Sequence, residues 1–296
     1  LSEIPNELTT VSGVNLSQAA DLAEQAALEV GSRIATYIAE WRENTIHYKG
    51  EIDIATDVDL WSERKIRAQL IGAHPTALFV GEESIGELSK SGRPLKEVIK
   101  EAELCWVVDP IDGTNNFSNH IPHVAVSIAL LINGVPQVGV VYDPVRKEMF
   151  RAILGQGTTL NGEKCFPSKR SRLIDAICGI SFPVDRVVNW SFYWTALEAV
   201  VLNTRTARVL GSGVTNLCWT ACGRLDGLVE HNLKIWDVAA GVLIAQEAGC
   251  IVANSDTDQI SEKELPLDLF KSCLVVAGPD LFEPLYRTVT ENRKIT

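Results

Sequence analysis

Methionine is almost missing from this chain: Met149 stands alone among 296 residues. The numbering therefore does not begin at an initiator, and a leader or tag removed ahead of Leu1 is the corresponding expectation. No apolar run approaches the ~20 residues of a membrane-spanning helix, which excludes that class and predicts no membrane partner. Positive charge is in deficit, with 27 Lys+Arg against 38 Asp+Glu and a formal net charge of −11. That balance excludes the broad basic surface of direct nucleic-acid binding, while acids remain suited to metal cations. CxxC pairs are absent, and the cysteines number seven: Cys105, Cys165, Cys178, Cys218, Cys222, Cys250 and Cys273. An odd set lying mostly in apolar stretches reads as buried thiols in a reducing compartment, cytoplasmic or, after leader removal, an organelle stroma. Repeats and low-complexity linkers are also missing. What is present is ordinary globular composition, 46% hydrophobic and 22% charged, in a chain long enough to bury a core without staples.

Leu22, Ala26, Val30, Ile34 and Ile38 recur every fourth residue and predict a long helix, capped at Asn15 or Ser17. A second helix is expected after Asp57, with Leu60, Trp61, Ile66 and Leu70 inward. Leu78–Val80 and Cys105–Val108 read as short strands ending at Gly81-Glu82-Glu83 and Asp109-Pro110. Val124–Ile132, Val138–Tyr142 and Glu148–Ile153, separated by Asn133-Gly134 and Asp143-Pro144, predict an antiparallel meander. Further on, Ile177–Ser181, Cys250–Ala253 and Leu274–Ala277 read as strands. Asn189–Leu202 and an amphipathic Trp236–Ala248 stopped by Gly249 read as helices, and another follows Pro279. Trp190 and Trp194 read as one packed helical face, and the polar stretch Gly86–Glu103 as a mobile insertion. The class is a layered α+β or α/β protein. It is expected as a single domain over 1–296 with two lobes, about 15–165 and about 166–296.

Carboxylates at strand ends carry the chemical information: Glu82, Glu83, Asp109, Asp112 and Asp237. In Asp109-Pro110-Ile111-Asp112-Gly113-Thr114, Pro110 fixes one backbone angle, so that both acids can converge on one side of a tight turn with the Ile111 carbonyl between them. Gly113 permits close approach of an anion, and a helix beginning near Thr114 would offer free N–H groups to phosphate. The other reading is that Asp-Pro and Asp-Gly are turn residues and Glu-Glu a solvated turn. His120 and His123 are three apart, but Pro122 opposes a helical metal pair. Gly155 and Gly157 read as a hairpin feature.

Three segments, Gly81-Glu82-Glu83-Ser84, Asp109–Thr114 and Ile235-Trp236-Asp237-Val238-Ala239-Ala240-Gly241, resemble the three signatures of the inositol monophosphatase family, in order and over most of the chain. The resemblance implies alternating layers of paired helices and mixed sheets, and lithium-sensitive, Mg²⁺-dependent phosphatase chemistry. It implies that Glu82, Asp109 and the Ile111 carbonyl hold one Mg²⁺. Asp109, Asp112 and Asp237 then hold a second, and a third ion leans on Glu82 and water. It casts Thr114 as the residue that positions water, with Asp59 hydrogen-bonded to it. Substrate contacts fall to Asp112, to the N–H groups of Gly113 and Thr114, to Gly211-Ser212-Gly213 and to Glu230. Lys49 matches a lysine on a mobile family loop, and Glu83 a supporting acid.

The expected function is hydrolysis of a small phosphate monoester, inositol monophosphate first. Asn115-Asn116-Phe117 resembles the inositol-like subgroup rather than the nucleotide phosphatases. The alternatives are the same chemistry on fructose-1,6-bisphosphate or another sugar or nucleotide phosphate, and a regulatory protein-binding role. Family members are commonly homodimers, and the apolar stretch Val124–Tyr142 suits either an interface or a core.

Overall fold

The computed structural model describes residues 10–39, 46–48, 54–89, 92–182, 190–231, 233–254, 260–261, 268–270 and 273–291. In chain order these form β1 (Thr10–Val11), β2 (Val14–Asn15), α1 (Leu16–Ala39), β3 (Ile46–Tyr48), β4 (Ile54–Thr56), α2 (Asp57–Ala73), β5 (Leu78–Gly81), α3 (Ile85–Ser89), α4 (Leu95–Glu101), β6 (Leu104–Asp112) and α5 (Thr114–Ser118). The meander follows as β7 (Ala125–Ile132), β8 (Val135–Asp143), β9 (Glu148–Ile153), β10 (Gly157–Leu160) and β11 (Glu163–Lys164). The remainder comprises β12 (Ile177–Ile180), α6 (Trp190–Asn203), β13 (Thr206–Arg208), α7 (Gly213–Ala221), β14 (Gly227–His231), α8 (Ile235–Ala248), β15 (Ile251–Asn254), β16 (Ile260–Ser261), β17 (Cys273–Ala277) and α9 (Pro279–Glu291).

Two sheets organise the molecule. One runs β11-β10-β9-β8-β7-β6-β5, antiparallel except for the parallel β5–β6 pair. The other runs β13-β12-β14-β17-β15-β16. Strand residues alternate between faces. Trp106, Val108, Val126, Ile128 and Val140 pack with α1 and α2, while Cys105, Val107, Ala129, Leu131 and Val141 pack with α7 and α8. The inward residues of the second sheet, Leu228, Val252, Leu274 and Val276, join that same central core. Its other face meets α6 and α9. The order of layers is therefore helices, sheet, helices, sheet, helices, as the resemblance implied.

Local chemistry explains the elements. The Asn15 side chain accepts the N–H of Gln18 at 3.1 Å and caps α1. Asn133 and Gly134 both take positive φ, 50° and 77°, the conformation of a two-residue hairpin turn. The Asp143 carboxylate accepts the N–H groups of Val145 and Arg146, closing the next turn. At Gly139 a Cβ would stand 2.8 Å from the Ala240 carbonyl, so that glycine sets the close approach of α8 to the first sheet.

Several expectations need correction. Helix α8 is not amphipathic: Val238 through Ala245 are buried all round, because both sheets cover it. Leu60 and Trp61 of α2 are half-buried, with Trp61 packed against the core, while the polar Asp59, Ser62 and Glu63 are buried; Asp59 acts on the acidic site and Glu63 on the turn after β5. Trp194 is 57% exposed and stacks on Phe182 rather than entering the core. The side chain of Trp190 lies outside the described residues. The supposed mobile insertion carries α3 and α4, with Ile99 buried and Lys96 paired to Asp268 at 2.5 Å. Among the described residues, no helix is long and apolar enough to cross a membrane.

Candidate active site

Strand β6 does not end at Val108. It continues through Asp112 with a bulge: Asp109 faces Ser127 and Asp112 faces Ala125, three steps on one strand against two on the other. Proline is tolerated at such a point because the ladder is already interrupted. The bulge brings Asp109 and Asp112 to one place. Asp237 joins them from the third position of α8, whose first turn is tied to β7 by the Ser127 hydroxyl donating to the Trp236 carbonyl at 3.2 Å. One carboxylate oxygen from each of Asp109, Asp112 and Asp237 lies within 4.8 Å of the others. Ligand distances of about 2.0–2.6 Å to a hard cation produce oxygen–oxygen spans of roughly this size.

Each of these acids is fixed by backbone donors. Asp109 accepts the N–H of Ile111 at 2.9 Å, and Asp237 accepts that of Lys234 at 2.7 Å. Asp112 accepts the Val214 N–H at 2.8 Å, the Ser212 hydroxyl and the N–H groups of Gly213 and Thr215. Asp112 thus sits on the positive end of α7. Burial nonetheless dominates. It raises Asp112, and it holds Asp109 well above the usual carboxylate range, with Glu82, Asp112, Asp237 and Asp59 adding repulsion in that order. Asp237 is pushed up to about 7 by burial and then by Asp112. Three mutually repelling hard oxygens, two on buried acids and one on the half-buried Asp237, fit a divalent cation.

The turn after β5 carries Glu82 and Glu83, both half-buried. The Glu82 N–H donates to Val108 at 3.2 Å, one residue before Asp109. Glu82 lies outside the tight oxygen trio but is the neighbouring charge that Asp109 feels most. Asp59, from α2, is buried at 1% exposure and acts on the same group. The hydroxyl of Thr114 donates to the Ile111 carbonyl at 3.2 Å. Gly113, at φ 93°, precedes it, and a Cβ there would stand 3.0 Å from the His123 carbonyl and 3.1 Å from that of Gly211. Gly211 and Ser212 therefore pack directly against the Gly113 turn.

Glu230 on β14 is 1% exposed and pushed up to about 7, chiefly by burial. It accepts the Asn216 amide at 2.9 Å and a Ser181 hydroxyl bond, and it feels Asp112. Lys49 lies outside the described residues.

The structural roles of three residues went unread in the sequence, Asn116 having been noted only as part of a resemblance. Asn116 donates to the carbonyls of His123 at 2.8 Å and Leu210 at 2.7 Å, clamping the Thr114 segment to the Gly211 loop. Asn216 holds Glu230, and nothing in its sequence setting marks it. Glu63 is 4% exposed and accepts the Glu83 N–H at 2.7 Å. Its place four residues after Asp59, on one helix face, was the available signal.

Comparison with known proteins agrees with this geometry. Residues 15–294 match the inositol monophosphatase family. The chain is 37% identical over 236 residues to the Nus factor SuhB of Pseudomonas aeruginosa, covering 79% of this chain and 84% of that one. It is 37% identical over 234 residues to inositol monophosphatase 2 of Solanum lycopersicum, covering 78% and 85%. Among solved structures it resembles the extragenic suppressor protein suhB of Bartonella henselae, with a TM-score of 0.79 at 31% identity over 92% of this chain and 98% of that one. The inositol monophosphatase of Anabaena gives 0.76 at 29% identity over 94% and 96%. The chain belongs to the inositol monophosphatase family.

Proposed function

We propose that this chain is a Mg²⁺-dependent phosphomonoesterase and that inositol monophosphate is its substrate. The observation that carries the reading is the Asp109–Asp112–Asp237 trio set beside the Gly113–Thr114 turn. In this reading Glu82, Asp109, Asp112, Asp237 and the Ile111 carbonyl hold the cations. Bound there, Mg²⁺ supplies positive charge to the phosphoryl oxygens and acidifies a water. The protein does the rest. The N–H groups of Gly113 and Thr114 receive phosphate oxygens, and the Thr114 hydroxyl orients the attacking water, supported by Asp59. Gly211, Ser212, Gly213 and Glu230 form the wall that receives the polyol. No protein nucleophile is required, which accords with thiols that burial raises, Cys105 to about 12.

The alternative substrate for the same chemistry is fructose-1,6-bisphosphate. We also assign two lobes, about 15–165 and about 166–296, a homodimeric state and a cytoplasmic location, the last on seven free cysteines. Phosphate release from inositol 1-phosphate and fructose-1,6-bisphosphate, measured with Mg²⁺, with chelator and with Mg²⁺ plus lithium, tests the proposal. Lithium-inhibited preference for inositol 1-phosphate supports it. Preference for the bisphosphate replaces the substrate and keeps the chemistry. A folded protein inactive on both refutes these two substrate assignments.

A further inference from the structure

Behind the turn that carries Glu82 lies an acid outside the trio. Glu63 projects from α2, and three donors converge on its carboxylate: the N–H of Glu83 at 2.7 Å and the hydroxyl and N–H of Ser84. It is buried, yet no member of the trio is among its partners. Beyond burial, the charges that act most on Asp109 are Glu82, Asp112, Asp237 and Asp59, and Glu63 is not among these. Glu63 therefore faces the back of the turn rather than the cluster. Gly81 makes this possible, because a Cβ at that position would overlap the Glu63 carboxylate. The turn is held on its other side by the Glu82 N–H bonded to the Val108 carbonyl.

We propose that Glu63 is a positioning residue of the metal site. A carboxylate that accepts several converging donors fixes the backbone presenting them, much as an outer partner orients a metal ligand. With the 81–84 turn fixed, the backbone presents Glu82 beside Asp109 without sampling other turn conformations. Loss of Glu63 frees the turn and makes cation binding bear the entropy of ordering Glu82. The inference rests on the metal-site reading proposed above.

The test is calorimetric titration of Mg²⁺ into the full chain after chelation, for wild type, Glu63→Ala, Glu63→Gln, Gly81→Ala and Asp109→Asn. Circular dichroism and metal-free urea midpoints establish folding. Glu63→Ala should weaken Mg²⁺ binding by about 10–100-fold, the range for outer-partner losses. Glu63→Gln keeps an acceptor oxygen and should lose less. Gly81→Ala removes no carboxylate but displaces a flexible side-chain end, so it should reproduce the Glu63→Ala loss. A Glu63→Ala/Gly81→Ala double variant, titrated alongside, should be no worse than either single change, as expected for one shared contact. Turnover should recover when Mg²⁺ is raised, separating a positioning role from a chemical one. Wild-type affinity in folded Glu63→Ala or Gly81→Ala, with Asp109→Asn impaired, overturns the positioning role alone. Should Glu63→Ala not fold, Gly81→Ala and Glu63→Gln decide the matter in the same way. Wild-type affinity in Asp109→Asn overturns the metal site and this inference together.

Discussion

Replacing Glu230 with Gln should make the protein more stable and a worse enzyme. The side chain is 1% exposed, and burial lifts its pKa from 4.5 to about 7. In the unfolded chain the group loses its proton near 4.5, and in the folded chain near 7. Between those values the native state holds the proton that the unfolded state has released, so stability falls as pH rises. Releasing the proton near 7 in the folded chain rather than near 4.5 corresponds to about 3 kcal/mol lost above the folded value. Gln has the same size, and its carbonyl still accepts from Asn216 and Ser181. Weaker bonds to a neutral acceptor offset part of the gain, leaving a net of roughly 1–3 kcal/mol. Urea unfolding after chelation, at about pH 8 and about pH 4.5, should show the gain at the first and little at the second. Activity should fall, because the proposed contact to the polyol loses its charged acceptor. A variant no more stable than wild type at the higher pH refutes the reasoning.

Other outcomes follow from particular contacts. Gly139→Ala drives a Cβ against the backbone of Ala240, which cannot yield as a side chain would, and should cost about 1–3 kcal/mol in urea unfolding. An unchanged midpoint contradicts the close approach of α8. Asn116→Ala leaves the carbonyls of His123 and Leu210 without their clamp and should cost about 1–3 kcal/mol. It should also raise KM as the Gly211 loop loosens, and steady-state kinetics on the folded variant measure this. Thiol labelling followed by mass spectrometry should modify only the half-buried Cys165 and Cys222 in the native state, leaving the other five protected until unfolding.

The meander, the long first helix and the acidic signatures were legible because they depend on local chemistry. Asn133-Gly134, Asp143 and Asn15 act within a few residues of themselves, and the structure uses each as a turn or cap. What could not be read depended on layers meeting. Trp236–Ala248 was legible as a helix stopped by Gly249, but its burial on every side was not, because both sheets cover it. The polar residues of α2 are buried because Asp59 meets the acidic site and Glu63 the turn after β5, whereas a hydrophobic pattern alone favours Leu60 and Trp61. At the site, Asp109, Asp112 and Asp237 were legible as a motif. Their anchoring on α7, and the clamps by Asn116 and Asn216, join residues roughly 90–100 positions apart or lack any flanking signature.

The most direct test of the account is phosphate release from inositol 1-phosphate by wild type and Asp109→Asn, each with Mg²⁺ and after chelation. Asn keeps the shape of Asp109 and its acceptor for the Ile111 N–H but removes the charge at the centre of the trio. The account predicts turnover by wild type only when Mg²⁺ is present, and none above background by the folded variant in either condition. Turnover that survives chelation, or a variant as active as wild type, would contradict it.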